Sequence, residues 1–220
     1  FRTSDDYLLR GAASLPVPPT ADQTVYIGVI AEKDFVDSHD VYDLNDDGDN
    51  SDRFGFIVYA AERVQVEAAL GVGRGYEMLM GLNETARATV AEERSTERVW
   101  VVAVDVDGNG DLADEKLLRD YHVNYDSFGL VSDNAPDSRV LMSWQLNVRA
   151  NEDQLGAATA PTAEFHFDDG GHGSHCAGIA AGHQVYNQET MHGAAPGAFV
   201  ISCKLGDNRL AGGATRTSSM

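Results

Sequence analysis

The sequence predicts an α/β fold in two parts: a mixed β and helical segment over residues 1–156, and a glycine- and alanine-rich segment over residues 157–220. Three observations predict it. Apolar runs of strand length recur along the chain, an Ala-, Glu- and Arg-rich stretch with helical character interrupts them, and a helix of very small residues opens the last third.

In chain order, Leu15-Pro16-Val17-Pro18-Pro19 reads as a linker-like piece, because proline removes donors and fixes φ. Val25 to Ile30 and Phe54 to Ala60 are β-rich runs bounded by polar loops, and both read as strands. Residues 61–98 are expected to be mostly helical, interrupted by the glycines at 71, 73 and 75. Strand patterns return at Val99 to Val106, Val140 to Val148 and Thr162 to Phe167. Beyond Gly170, Ser174 to Gly182 reads as a small-residue helix, Phe199 to Leu205 as a buried strand, and Gly206 to Gly213 as a loop.

Composition narrows the function classes. The chain carries 35 Asp+Glu against 16 Lys+Arg, a formal net charge of −19, which disfavours nucleic acid and anionic membranes as partners and favours cations. No apolar run approaches the ~18 residues that would span a bilayer. Phe1-Arg2-Thr3 lacks the start of a leader, and Thr215 to Met220 stop in what reads as a first helical turn, so the sequence is expected to be a piece of a longer protein. Cys176 and Cys203 are too few for a disulfide framework and read as small buried hydrophobes, which leaves the compartment open.

An acidic pattern, D-x-[DN]-x-[DN]-G-D-x-x-D, occurs twice. Its polar positions are Asp43, Asn45, Asp47, Asp49 and Asp52 in the first copy, and Asp105, Asp107, Asn109, Asp111 and Asp114 in the second. Oxygen ligands on alternate residues, followed by a glycine for a sharp turn, can wrap a hard cation such as calcium. Position twelve of a full EF-hand would be Glu, but Phe54 and Lys116 stand there, so Asp52 and Asp114 or another segment would have to close the shell. The alternative is a pair of acidic turns whose Asp and Asn side chains cap backbone amides.

The densest chemical signal is Gly171-His172-Gly173-Ser174-His175-Cys176-Ala177-Gly178. Glycines on both sides of His172 leave its imidazole uncovered at a helix N-terminus, where Ser174 is expected to cap and His175 to pack inward. Such a histidine suits a general base that takes the proton of a serine nucleophile. A zinc site on His172-x-x-His175 is the other reading, but no Glu lies between the two and no Cys pair completes a tetrahedral set.

Gly171 to Gly182 resembles the histidine block of subtilisin-like serine peptidases. His192-Gly193-Ala194-Ala195-Pro196-Gly197-Ala198 is similar to the Gly-Val-Ala-Pro-x-Ala block of that family, and Val200 to Leu205 to the core strand that follows it. Ile201 to Leu210, with the upstream run from Val99-Trp100 to Tyr121 and Ser127-Phe128-Gly129, looks like the tripeptidyl-peptidase II branch. The resemblance implies a partial subtilisin-like parallel sheet with helices over 157–220, the N-terminal part of the catalytic core. It makes residues 1–156 a mixed α+β insertion between the catalytic Asp and His segments.

It also implies a serine peptidase acting on a polypeptide substrate through a Ser/His/Asp mechanism that needs no cofactor, with His172 as catalytic base. Gly206, Gly212 and Gly213 would then approach the substrate backbone. Self-association into a homo-oligomer stays open. Ser174 and Cys176 replace the Thr and Val usual in the family, and the Asp-[Ser/Thr]-Gly and Gly-Thr-Ser-Met-Ala blocks are missing from the sequence. Asp105 and Thr217-Ser218-Ser219-Met220 imitate them, but the first belongs to the repeated acidic loop and the second follows His172 too closely. The orienting Asp is therefore expected before residue 1 and the serine after residue 220, leaving this chain inactive alone. A calcium-binding β-module without catalytic activity is the competing class.

Overall fold

A computed structural model describes residues 1–2, 6–35, 41–71, 97–131, 143–149, 160–168 and 171–200. Four strands form the first sheet: β1 (Val25–Ala31), β2 (Arg53–Glu62), β3 (Arg98–Val104) and β4 (Leu117–Arg119), hydrogen-bonded in that order. A second sheet holds β5 (Ser127–Phe128), β6 (Trp144–Arg149) and β7 (Thr162–His166), also in chain order. Among the described residues three α-helices accompany them: α1 (Arg63–Ala69), α2 (Tyr121–Asn124) and α3 (His172–Ala181).

The first sheet buries both faces, which is why its strands read as nearly continuous apolar runs rather than as alternating ones. Side chains that alternate along β2 and β3 separate into two cores. Ile57, Tyr59, Ala61, Val101 and Ala103 face Leu9, Leu15, Val17 and Val66 on one side. Phe54, Val58, Val102 and Val104 face Trp144, Leu146 and Val148 of the second sheet on the other. Trp144 anchors that second core, stacked on Phe167 at 4.1 Å between ring centroids and edge-on to Phe35 at 5.7 Å.

Several expectations are corrected here. The proline-rich piece is not a linker: Leu15 and Val17 are buried, and the Tyr59 hydroxyl donates to the Val17 carbonyl at 2.5 Å. Helix in 61–98 is confined to Arg63–Ala69 within the described residues, because β2 runs on to Glu62 and β3 begins at Arg98; residues 72–96 lie outside them. The named strands among the described residues pair antiparallel, while residues 201–220, where the expected parallel sheet would continue, lie outside them. β7, beyond residue 157, pairs with β6, Leu146 opposite Phe165. Phe199 and Val200, expected to open a buried strand, are exposed and unpaired with any described strand. An isolated strand cannot satisfy its backbone groups or bury its side chains. Residues 201–205 lie outside the described set.

Candidate active site and acidic loops

Helix α3 starts at His172 itself, two residues before the predicted start. Gly171 is its N-cap with φ 63°, a left-handed conformation that favours glycine. Ser174 therefore lies inside the first turn and is not the cap. Instead the Asp168 carboxylate accepts the Ser174 N–H at 2.6 Å, meeting one of the orphan donors at the positive end of the helix. Glycine at 173 suits this arrangement, since a Cβ there would stand 3.3 Å from Asp168 Oδ2.

The His172 side chain is exposed in that first turn, its Nε2 lying 3.8 Å from Cys176 Sγ one turn along. His175 and Cys176 are exposed too, which corrects both the inward-packed histidine and the buried cysteine; Cys203 falls outside the described residues. The physical reason is that α3 buries none of its residues against the described chain. Ile179 is likewise exposed, and Phe199 is fully so.

What holds α3 is the second block. Gly193, Ala194 and Ala195 donate to the carbonyls of Gly182, Ile179 and Ala180, each at 2.8 Å. These are the carbonyls that a helix C-terminus leaves unsatisfied. The contact is so close that a Cβ on Gly193 would meet the Gly178 oxygen at 2.7 Å and the Ile179 oxygen at 2.8 Å. The two blocks read separately from the sequence are one structural unit, with the imidazole at one end and the clamp at the other. Gly206, Gly212 and Gly213 lie outside the described residues, as do Thr217 to Met220.

The acidic loops lie side by side at one end of the first sheet. The first runs into β2 and the second leaves β3, and Asp105 N–H donates to the Gly55 carbonyl at 2.8 Å. Both wind alike: the first-position carboxylate accepts the N–H of the sixth-position glycine, Asp43 from Gly48 at 2.9 Å and Asp105 from Gly110 at 2.8 Å. Both glycines have positive φ, 102° and 78°. Asp105 is fully buried and also accepts the Tyr7 hydroxyl at 2.5 Å, so it belongs to its loop and is no orienter for His172.

Two glutamates that sequence reasoning missed join these loops. Carboxylate oxygens of Glu32, Asp49 and Asp52 lie within 4.8 Å of one another, and so do those of Asp105, Asp107 and Glu115. Glu32 arrives from the end of β1, a contact only the fold creates; Glu115 is the eleventh residue of the second loop, one short of the EF-hand position. Of the carboxylates expected as ligands, neither grouping includes Asp43, Asp47, Asp111 or Asp114, the last of which is exposed. No histidine enters a metal-capable grouping among the described residues.

Crowding shows in the acidities. Burial, then the charges of Asp107, Asp105 and Asp114, push the Glu115 carboxyl up to about 8, against the Val106 N–H that it accepts at 2.6 Å. Asp52 rises to about 6, first by burial and then through Asp47 and Glu32. Asp105 is raised by burial and by Asp107, although Tyr7 and Gly110 donate to it.

The segment thus joins a glycine-flanked imidazole on an exposed helix end to a following Gly-Ala-Ala-Pro turn that clamps the helix. The subtilase family matches residues 96–220, more than half of the chain, and the chain belongs to that family. The match starts well before residue 157, inside the stretch expected to be an insertion. Over 118 residues the chain is 34% identical to Tripeptidyl-peptidase 2 of Arabidopsis thaliana, and it is close to that branch. That alignment takes in 51% of this chain and 8% of the plant protein, so the chain spans less than a tenth of its relative. No solved structure matches the chain. The family places the chain in the α/β class. No helix among the described residues is long and apolar enough to cross a membrane.

Proposed function

We propose that the protein hydrolyses peptide bonds by acyl transfer through a serine nucleophile, and that this chain supplies the general base, His172. The observation that carries the reading is the exposed imidazole in the first turn of α3, between Gly171 and Gly173, on a helix held at its start by Asp168 and at its end by the His192–Ala198 block. In the proposed mechanism His172 takes the proton of the serine hydroxyl as it attacks the scissile carbonyl. It then returns that proton to the leaving amine. A carboxylate orienter for the imidazole, the serine and the oxyanion donor come from other segments of the protein.

The bare face of α3 supports the same reading. A ten-residue helix with two internal glycines is marginal by itself. Its exposed Ile179, with Phe199 and Val200 close behind in the chain, is the apolar surface that a subtilisin-like parallel sheet would cover. Gly206, Gly212 and Gly213 would follow on the edge where an extended polypeptide substrate adds as a strand.

Peptide hydrolysis by the full-length protein tests this. His172→Ala should lower kcat by at least ~10³-fold with little change in KM, while the 220-residue chain alone should show no turnover. Full activity in the His172→Ala protein would overturn the reading.

A further inference from the structure

We propose that the second acidic loop is a calcium site, closed not by Asp114 but by Glu115, with Asp105 and Asp107 as its other carboxylate ligands. This goes beyond the peptidase reading and does not depend on it. The three carboxylates bring oxygens within 4.8 Å of one another in a loop that turns at Gly110. Hard cations of calcium size take six to eight oxygens at 2.3–2.6 Å, and carboxylates gathered this closely suit that shell.

Acidic proximity alone would not make a site; a single atom does. Asp105 is fully buried, and its Oδ2 accepts both the Tyr7 hydroxyl and the Gly110 N–H. Its Oδ1 is buried and has no hydrogen-bond partner, in a residue whose carboxylate lies within 4.8 Å of those of Asp107 and Glu115. A buried carboxylate oxygen without a donor is costly, and gathering three carboxyl groups around it adds to the cost. A bound cation removes both penalties at once.

The first loop makes the contrast. There Glu32 Oε1 and Oε2 already accept the N–H groups of Leu44 at 2.6 Å and Asp52 at 2.9 Å. Both Asp43 oxygens are likewise taken, by Asp47 at 3.2 Å and Gly48 at 2.9 Å. The buried Asn45 Oδ1 of that loop is also without a partner, but among the gathered carboxylates of the two loops only Asp105 has a buried oxygen left unmet.

Calcium titration of the intact chain, read by calorimetry and by thermal melting, tests the proposal. Calcium should raise the melting temperature in proportion to the logarithm of its concentration once saturating. Glu115→Gln and Asp107→Asn should each weaken calcium binding at least tenfold. Gln at 115 keeps an oxygen to accept the Val106 N–H and removes an acid whose ionisation this crowded loop opposes. Without calcium, Glu115→Gln should therefore melt at or above the wild-type temperature. A merely structural Glu115 would give the opposite, a lower melting temperature with calcium affinity unchanged. No binding at millimolar calcium, or equal binding by wild type and both variants, would overturn the proposal. So would a shift from magnesium equal to that from calcium, which would mark general screening of an acidic chain.

Discussion

The Ala194 amide donates to the Ile179 carbonyl at 2.8 Å, tying the Gly-Ala-Ala-Pro turn to the C-terminal turn of the helix that carries His172. Neither segment is stable by composition: one is a short helix of small residues, the other a turn. Each satisfies the backbone groups the other leaves open, so the imidazole is positioned by hydrogen bonds rather than by core packing.

Two glycines on this unit should therefore behave in opposite ways. Gly193→Ala pushes a methyl group into the carbonyls of Gly178 and Ile179, so it should detach the turn. Hydrogen exchange of the α3 amides should accelerate at least tenfold. Gly178→Ala meets nothing within 4 Å in this chain. It should slow exchange by up to about 1 kcal/mol of helix stabilisation.

Trp144 is the keystone of the second core, with no exposed surface and four aromatic neighbours within 6.3 Å. Trp144→Ala should cost about 3–5 kcal/mol by denaturant unfolding. Ile57→Val in the opposite core should cost only about 0.5–1.5 kcal/mol.

The strands were legible because both faces of the first sheet are covered, leaving apolar runs such as Val101 to Val104 that fit a strand and little else. The histidine helix was legible as a motif but not as a packed element. Small residues such as Ala177 and Ala180 predict close packing, yet the sequence does not say against what, and His175 and Cys176 face outward here. The acidic loops were visible in their spacing, while Glu32 was hidden because pairing of β1 with β2 alone delivers it. Glu115 could have been found by allowing the closing carboxylate to fall one residue early.

Arg119 and Asp126 form a second testable unit. Nε donates to Oδ2 and Nη2 to Oδ1, both at 2.8 Å, with both side chains only 12% exposed. Burial would push Asp126 up, but the two-fold grip of Arg119 and its backbone N–H holds it below the ordinary carboxylate range. A depressed folded pKa contributes stability that is complete above the unfolded value near 4 and is lost as pH falls through the folded value. Asp126→Asn should thus cost about 1–3 kcal/mol at pH 7, and the difference from wild type should shrink in acid melts. A pH-independent difference would contradict this.

The most direct test of the central claim is covalent labelling of the full-length protein by a fluorophosphonate that reacts only with an activated serine. Wild type should label at one serine, His172→Ala should lose that labelling, and the 220-residue chain by itself should not label. Undiminished labelling of the His172→Ala protein, or labelling of a serine within these 220 residues, would contradict the assignment of His172 as the base of a serine peptidase.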